Sequence, residues 1–373
     1  VYYTKDGDNW TLSNPKFKDV GEYTVYVKVE NPNYEDRTGS ATVTITKRDI
    51  TIKAQSATKA YDGTPLTANG YEIVDGIFVG EEGFESVTVE GSQTLVGTSD
   101  NTITGYTFKD NTKSINYNVI TQEGTLTVTK AQGEELELAG YTGVYDGEEH
   151  SITVVNLVDG DTVYYTKDGE DWTLFNPKFK DVGEYTVYVK VVNPNYENRE
   201  GSATVTITAK EVTITVDSKT KVYGTIDPTF TGTVVGLINE NDLGEITFVR
   251  TNDDEEVGNY EGVLDANYTD NPNYKVEVIK GNFEITKAQG EELEVAGYTG
   301  VYDGLEHSIT VGNLVDGDTV YYSKDGATWT EENPSYTDVG EYKVYVKVEN
   351  PNYEDRTGSA TVTITEKEVT ITV

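Results

Sequence analysis

The 373-residue sequence contains no cysteine and no methionine, and it has only two histidines. This scarcity excludes a thiol nucleophile, a disulfide framework and a Cys/His zinc site. No run of 18 apolar residues occurs, so we expect no membrane-spanning helix. Cysteine and methionine are also the side chains that oxidise most readily, and their absence suits an extracellular protein.

Positive charge is the second shortage. Lys and Arg number 29 against 65 Asp and Glu, which gives a formal net charge of −36. A chain this acidic is a poor ligand for phosphate backbones, so we expect no nucleic-acid partner. Hydrophobic residues make up 36% of the chain and tyrosines number 28, enough to form small cores. The acidity therefore does not indicate a disordered tail.

Internal repeats organise the sequence. Residues 132–208 align without a gap with 289–365, with 15 differences in 77 positions, and 1–46 aligns with 163–208 with 6 differences. Two other segments of similar length and motif order separate these copies. We predict the C-terminal part of an A-type repeat at 1–46, a B repeat at 47–130, a complete A repeat at 131–208, a C repeat at 209–287, a second complete A repeat at 288–366, and the first strand of a following domain at 367–373.

Hydrophobic alternation predicts β-structure throughout. Runs such as 186–191 and 212–216 place Val, Ile, Thr and Tyr on alternating faces, and Asp-Gly and Asn-Pro-Asn turns interrupt them every 8–12 residues. About seven short strands in each repeat predict a two-sheet sandwich. The junctions at 130–132 and 287–289 contain no Gly/Ser linker. We therefore expect an all-β tandem array of immunoglobulin-like β-sandwich domains that forms an elongated rod.

A Val-Gly-x-Tyr motif recurs in the middle of four repeats. It reads Asp-Val-Gly-Glu-Tyr in the A-type repeats and Glu-Val-Gly-Asn-Tyr in the C repeat, whereas the B repeat has only Val96-Gly97. In immunoglobulin-like sandwiches a tyrosine after such a turn packs at a strand corner and bonds back to the backbone. This structural role is predicted for Tyr23, Tyr185, Tyr260 and Tyr342.

An Asn-Pro-Asn-Tyr motif recurs close to the end of the A and C repeats, and the B repeat has Ile-Asn-Tyr there. Proline restricts φ and asparagine tolerates left-handed conformations, so the motif predicts a turn before the last strand pair. The tyrosine is expected to anchor that turn. The residues concerned are Tyr34, Tyr196, Tyr274 and Tyr353.

Two kinds of polar residue are candidates for chemistry. His150 and His307 follow a Tyr-Asp-Gly turn, but no paired nucleophile recurs beside them, so we predict no enzyme and no catalytic residue. Acidic clusters place Asp159, Asp161, Asp316 and Asp318 where a calcium ion could bind at domain junctions, although their spacing is not that of an EF-hand loop. Solvated acidic faces account for the same clusters. No other cofactor or metal is expected.

Aromatic residues on a hairpin of each A repeat are candidates for ligand binding. The candidates are Tyr164, Trp172, Tyr321 and Trp329, which could stack on sugars, and packing of the hairpin explains the same residues. The segment 322–329 resembles the Asp-box hairpin of sialidases but is one residue short, and too few copies occur for a propeller.

The order of these motifs resembles the MBG/YDG family of bacterial surface repeats. Segment 47–130, with Lys-Ala-Tyr-Asp-Gly at 59–63, is similar to a YDG domain, and segment 209–287, with Lys-Val-Tyr-Gly at 221–224, is similar to an MBG domain. The resemblance implies extracellular immunoglobulin-like modules of large cell-surface adhesins, and it implies no catalytic residues.

The leading functional hypothesis is a non-catalytic stalk that projects a distal binding region from a bacterial cell, anchored to the cell wall through a part outside this sequence. Its partners would be neighbouring domains of the same longer chain. Two alternatives remain open. The repeats themselves could bind a host glycan or protein with avidity, or edge strands could pair laterally into a surface fibre. No direct membrane insertion is expected.

Overall fold

The computed structural model describes residues 1–371, in which the regular secondary structure is β-strand apart from one short 3-10 turn. Within this range no helix is long and apolar enough to cross a membrane. The chain divides into two compact units. Unit 1 comprises 1–141, 151–178 and 185–205, and unit 2 comprises 142–150, 179–184 and the residues from 206 onwards.

Unit 1 begins with the N-terminal fragment and the B repeat. The fragment forms one antiparallel sheet in the order β1-β2-β3. The B repeat forms two sheets, β6-β4-β9 and β5-β10-β8-β7, which enclose a core of Ile50, Ile52, Phe84 and Tyr117. The elements are β1 (Tyr2–Thr4), β2 (Gly21–Asn31), β3 (Tyr34–Ile45), β4 (Arg48–Ala54), β5 (Ala57–Ala60), β6 (Tyr71–Asp75), β7 (Phe84–Glu90), β8 (Gly97–Phe108), a 3-10 turn (Ser114–Asn116), β9 (Tyr117–Gln122) and β10 (Gly124–Thr129).

The first A repeat contributes residues to both units. Inside unit 1, β11 pairs with β13, and β14 pairs with β15 so that Val163 lies opposite Val191. The strands of this repeat are β11 (Leu138–Ala139), β12 (Tyr141–Val144), β13 (Thr153–Val154), β14 (Thr162–Thr166), β15 (Gly183–Val192) and β16 (Arg199–Thr208).

Unit 2 contains the complete C repeat, which is a sandwich of two sheets, β19-β17-β22 and β18-β23-β21-β20. Ile214, Leu264 and Phe283 are fully buried between them. Alternation of apolar and polar residues along β17 and β23 directs one face of each strand inward. The strands are β17 (Lys210–Val216), β18 (Lys219–Val222), β19 (Gly232–Val235), β20 (Thr247–Arg250), β21 (Gly258–Asn267), β22 (Tyr274–Ile279) and β23 (Gly281–Thr286).

The second A repeat completes unit 2 with a two-stranded sheet, β24-β26, and a four-stranded sheet, β25-β29-β28-β27. Its core includes Ile309, Val344, Val346 and Val362. The strands are β24 (Glu294–Ala296), β25 (Tyr298–Val301), β26 (Thr310–Gly312), β27 (Thr319–Ser323), β28 (Gly340–Glu349) and β29 (Arg356–Thr365).

Parallel pairing closes each complete sandwich. In the C repeat, β17 pairs with β22 and β18 pairs with β23, so consecutive strands enter different sheets. The B repeat repeats this arrangement through β4–β9 and β5–β10. Two sheets sharing one apolar core are the architecture of immunoglobulin-like domains, and the predicted all-β tandem sandwich fold is confirmed.

Candidate functional site

The Val-Gly-x-Tyr motif forms a rigid corner at one end of each A-type and C repeat. The hydroxyl of Tyr23 donates a hydrogen bond to the carbonyl oxygen of Asp19 at 3.0 Å. Tyr260 and Tyr342 make the same bond at 2.8 Å and 3.2 Å, to Glu256 and Asp338. Tyr185 lies at the equivalent position of β15. The tyrosine hydroxyl thus holds the carbonyl group of the first motif residue. The valine that follows this residue in the sequence presents its N–H group at the corner.

The glycine of this corner is a steric requirement. A Cβ atom at Gly21 would lie 3.0 Å from the hydroxyl oxygen of Tyr23, and one at Gly340 would lie 2.8 Å from the ring of Tyr342. The contact at Gly340 would force the ring to move, and the contact at Gly21 would be unusually tight. The glycine therefore lets the tyrosine ring lie against the backbone and reach the turn.

An asparagine from the following repeat binds the valine N–H at every junction within the described residues. Its Oδ1 atom accepts this bond at 2.7 Å to 3.2 Å. The donor and acceptor pairs are Val20 with Asn116, Val96 with Asn195, Val182 with Asn273, and Val257 with Asn352. We call this contact the asparagine clamp. These asparagines immediately precede the motif tyrosine, so the turn presents them to the preceding repeat.

The same asparagines donate to a carboxylate at three of these junctions. The Nδ2 atom of Asn116 lies 3.1 Å from Asp19, that of Asn273 lies 2.9 Å from Asp181, and that of Asn352 bonds Glu256. At the first junction Lys113 also bonds Asp19 at 2.5 Å. The Lys113 ammonium and the Asn116 amide hold the pKa of Asp19 below its ordinary value. Each of these side-chain amides thus accepts a hydrogen bond from the valine N–H and donates one to the carboxylate of the same corner.

The first asparagine of the turn orients the second. The N–H of Asn352 donates to Oδ1 of Asn350 at 2.8 Å, and the Nδ2 atom of Asn350 reaches the carbonyl oxygen of Asp316 and the carboxylate of Asp318. Asn350 is 4% exposed. In the C repeat Asn271 orients Asn273 in the same way at 3.0 Å. The Asn-x-Asn spacing therefore preorganises the clamp.

Tyrosine pairs form the apolar part of three junctions. The tyrosine of the Tyr-Asp-Gly or Tyr-Gly turn in one repeat meets the motif tyrosine of the next repeat edge-to-face. The pairs are Tyr61 with Tyr196 at 5.5 Å between ring centroids, Tyr145 with Tyr274 at 5.5 Å, and Tyr223 with Tyr353 at 5.4 Å. Such pairs contribute about 0.5–1.5 kcal/mol beyond the area that they bury.

The linker itself pairs with the incoming turn. Ala288 donates its N–H to the carbonyl oxygen of Asn352 at 3.0 Å and accepts from Glu354 at 2.9 Å, and Lys287 bonds the carbonyl oxygen of Asn350. At the B–A junction Lys130 and Ala131 make the matching contacts. Because these short linkers are hydrogen-bonded along their backbone, they restrict rotation between successive repeats.

The structure places an arginine beside two of the four calcium candidates. Asp161 bonds Arg199 and Asp318 bonds Arg356, and both aspartate side chains are 2% exposed. Burial favours the neutral acid, but the N–H of Val315, Asn350 and Arg356 outweigh it and lower the pKa of Asp318. Asp159 and Asp316 are exposed. Within residues 1–371 no group of three or more acidic or His side chains is positioned to hold a metal ion.

The hairpin candidates lie beside lysines. Lys347 places its ammonium 5.3 Å from the ring centroid of Tyr321 and 5.5 Å from that of Trp329, and Lys190 lies 5.9 Å from Trp172. Tyr164 lies on β14 and is half-buried. In Tyr321, Trp329 and Trp172 the lysine occupies one face of the ring in a cation–π contact. The nearby Asp325 carboxylate accepts from the N–H groups of Ala327 and Thr328, which lowers its pKa and stabilises the turn.

The two histidines take part in a local turn. His307 lies 2.9 Å from Asp303 and stacks on Tyr298 with ring centroids 3.7 Å apart. His150 lies 3.0 Å from Asp146 in the first A repeat. The N–H of Leu305 and the His307 ring lower the pKa of Asp303. These pairs connect the turn to the strand that follows it.

The C repeat contains an ion-pair network that sequence reasoning missed. Lys221, whose side chain is 3% exposed, bonds Asp227 at 2.8 Å and also bonds Glu255. Arg250 bonds the same two carboxylates and lies over the ring of Phe283. Two cations and two carboxylates balance their charges, and hydrogen bonds from Lys221 and Arg250 lower the pKa of both acids. The network therefore crosslinks the end of the sandwich electrostatically.

These repeats and their shared junction define a tandem array of immunoglobulin-like β-sandwich domains. The chain belongs to the MBG domain family. The model of the MBG domain of YGX type matches 212–284, and a second MBG domain model matches 135–213 and 292–368. The suspected resemblance is thereby confirmed. The YDG assignment of 47–130 remains a prediction, as do the repeat boundaries.

Several solved structures match the chain at low sequence identity. The extracellular domain of protocadherin gamma B4 is 11% identical, with 93% of this chain and 72% of that chain covered and a TM-score of 0.33. Sidekick-1 immunoglobulin domains 1–5 are 11% identical, covering 98% and 92%, at a TM-score of 0.25. A 1.5-MDa bacterial ice-binding adhesin is 14% identical, covering 64% and 100%, at 0.26. These low scores carry no argument about function. No curated protein sequence matches the chain.

The B–A junction offers a test of the clamp. Leu95 occupies the position of Asp19 and Asp181, and its apolar side chain offers no acceptor to Asn195. We expect Leu95→Asp to stabilise this junction by about 1 kcal/mol, because it supplies a charged acceptor to the asparagine amide. Slower amide exchange at Val96, measured by NMR, would report the gain. Leu95→Asn tests a neutral acceptor, and Leu95→Asp in an Asn195→Ala background should give no gain.

Proposed function

We propose that the chain is a non-catalytic stalk segment of a large bacterial surface adhesin, in which the repeats hold a distal binding region away from the cell. The observation that carries this proposal is the recurrence of one junction. The asparagine clamp forms between every successive pair of repeats in residues 1–371, although the sequences of the B and C repeats differ from those of the A repeats.

The junction contacts suit a stiff connector. Each clamp contributes one or two hydrogen bonds, worth about 0.5–1.5 kcal/mol for a neutral pair and more where a carboxylate accepts. The tyrosine pair and the hydrogen-bonded linker add to this and act at different points around the junction. Bending a junction would break these contacts together, so thermal motion should explore only small angles.

The chemistry of the chain agrees with a surface location. A net charge of −36 opposes collapse of the chain onto itself and onto other acidic surfaces, with a screening length of about 8 Å at physiological salt. Cysteine and methionine are absent, so oxidants find few targets. We infer an extracellular position, with attachment through other parts of the parent protein and with neighbouring repeats as the principal partners.

Small-angle scattering of the 373-residue chain, with calcium and with chelator, tests the stalk. A compact globule of this length would have a radius of gyration of about 21 Å. Repeats of roughly 35 Å stacked end to end would form a rod of about 150 Å with about twice that radius. The larger value in both conditions is expected. A compact value would contradict the stalk, and elongation that requires calcium would make the aspartate candidates metal sites. Unchanged curves on dilution would exclude lateral association.

One observation favours glycan binding as a second candidate. A groove of about 350 Å³ lies on the hairpin of the second A repeat, lined by Tyr322, Lys324 and Pro334 among others, and the N-terminal fragment has its counterpart beside Tyr3 and Lys5. A glycan screen with the full chain tests it. Glycan binding that becomes weaker in the Lys324→Ala variant would support this function. No binding to any glycan of a broad panel would contradict it.

A further inference from the structure

We infer that one end of the second A repeat is a docking surface for the Asn-x-Asn-Tyr turn of another C-type repeat. We call this end the open corner, and it is formed by Tyr302, Gly304, Asp338 and Val339. The inference rests on the proposed function, because it applies the asparagine clamp to a corner with an exposed surface.

The open corner has the same structure as an occupied corner. Tyr342 bonds the carbonyl oxygen of Asp338, as Tyr23 and Tyr260 do at corners that bind an asparagine. Val339 is nevertheless 46% exposed, whereas Val20, Val96, Val182 and Val257 are all partly buried. No acceptor among residues 1–371 bonds the N–H of Val339.

The aromatic half of the corner shows the same difference. Tyr302 is 41% exposed, while its counterpart Tyr145 is 6% exposed because it packs against Tyr274 of the C repeat. A Cβ atom on Gly147 would lie 3.4 Å from the side chain of Ile238, also in the C repeat, whereas one on Gly304 would meet no atom within 4 Å. The open corner therefore has room for the side chains equivalent to Tyr274 and Ile238 of the C repeat.

The segment after the corner selects a C-type occupant. Residues 338–342 repeat both 181–185, a corner that the C repeat clamps, and 19–23, a corner that the B repeat clamps, so the corner alone fits either type. Residues 367–371, however, repeat 210–214, the strand by which the chain enters the C repeat, and differ from the segment that enters the B repeat. The same corner followed by the same entering sequence fits a C-type partner.

The partner turn needs no ordering before it docks. In the N-terminal fragment, the turn is fully exposed, with Tyr34 at 74%, yet the N–H of Asn33 already bonds Oδ1 of Asn31 at 2.9 Å. A preformed corner and a preformed turn lose little conformational entropy on contact. The contact surface is small, so it should act within one chain, where the linker supplies a millimolar effective concentration.

The test extends the full chain beyond residue 373 with a second copy of residues 217–287, which completes a C-type repeat. Amide exchange is then measured by NMR at Val339, with Val182 of the same molecule as the internal standard. We expect exchange at Val339 to slow at least about tenfold relative to the 373-residue chain and to approach that of Val182.

Two variants of the added repeat separate docking from folding. Replacing the counterpart of Asn273 by alanine should return Val339 to fast exchange, and replacing the exposed counterpart of Lys275 should leave the protection intact. Fast exchange at Val339 beside a folded added repeat and a protected Val182 would overturn the inference and leave the stalk standing. Fast exchange at both valines would overturn the asparagine clamp itself. The elongated shape would still be tested separately, by the radius of gyration from small-angle scattering.

Discussion

Replacement of Arg356 by alanine is expected to lower the unfolding free energy of the second A repeat by about 3–5 kcal/mol, the largest effect that we predict for a single substitution. Arg356 and Asp318 have side chains 8% and 2% exposed, and the guanidinium also bonds the carbonyl oxygens of Glu291 and Asn313. Removing the arginine leaves a buried carboxylate without its ion-pair partner. The change should also loosen the chain segments that the guanidinium connects.

Tryptophan fluorescence during urea unfolding can isolate this effect. Each A-type segment contains one of the 3 tryptophans, so replacing Trp10 and Trp172 by phenylalanine leaves Trp329 as the reporter of the second A repeat. The twin substitution Arg199→Ala provides the matched control, because it removes the equivalent ion pair from a different repeat. It should leave the Trp329 transition unchanged. A loss below about 1 kcal/mol in Arg356→Ala would contradict the prediction.

The ion pair also contributes to the acid dependence of the second A repeat. Because the folded pKa of Asp318 lies below its ordinary value of 3.8, the ionised form stabilises the repeat above that pH. This stabilisation is lost as the pH falls through the lowered folded pKa. Wild-type protein should therefore lose stability on acidification, and Arg356→Ala should lose less because part of the pairing is already gone.

Asn352→Ala is expected to weaken the junction between the C repeat and the second A repeat by about 1.5–3 kcal/mol. The substitution removes the acceptor of the Val257 N–H at 2.9 Å and the donor to Glu256. Asn352 is 8% exposed, so water replaces these bonds poorly. Bonds to charged groups stand at the upper end of hydrogen-bond contributions. Amide exchange at Val257 should accelerate at least about tenfold.

Asn195→Ala is the comparison that makes this test specific. Its corner carries Leu95 in place of a carboxylate, so only the neutral bond to Val96 is lost and about 0.5–1.5 kcal/mol is expected. A double-mutant cycle between Asn352→Ala and Glu256→Ala should give a coupling of about 1 kcal/mol. Equal effects of the two asparagine substitutions, or no coupling, would show that the carboxylate contributes nothing to the clamp.

Disrupting the clamps should also loosen the connection between successive repeats. The hydrogen bonds that cross a junction are local in space and act independently at each boundary, so their loss adds flexibility one hinge at a time. Repeats of different sequence alternate along this chain, and we expect this alternation to limit exchange of strands between neighbours during folding. Stiffness and correct folding would thus depend on different residues, the clamp asparagines and the core residues.

The sequence by itself determined the all-β fold, the order of the repeats and the membership of the MBG family. These properties depend on local signals: alternating apolar residues in strands such as β17, turn residues between them, and near-identity between copies. The sequence also predicts the hydrogen bond from the corner tyrosine to the backbone, because the tyrosine and the carbonyl group that it bonds are four residues apart. A contact between residues so close in sequence can be predicted from a short motif.

Only the tertiary structure decided what the Asn-x-Asn-Tyr motif contacts. From the sequence, turn chemistry alone explained both asparagines, and the tyrosine was expected to anchor its own turn. The clamp instead joins residues 91 to 99 positions apart, in different repeats. No periodicity spans that distance, because pairing of a turn with a corner depends on how two complete sandwiches meet. The same holds for the ion pair of Arg356 with Asp318, which lies 38 residues earlier and which the sequence offers only as a calcium candidate or a solvated acid.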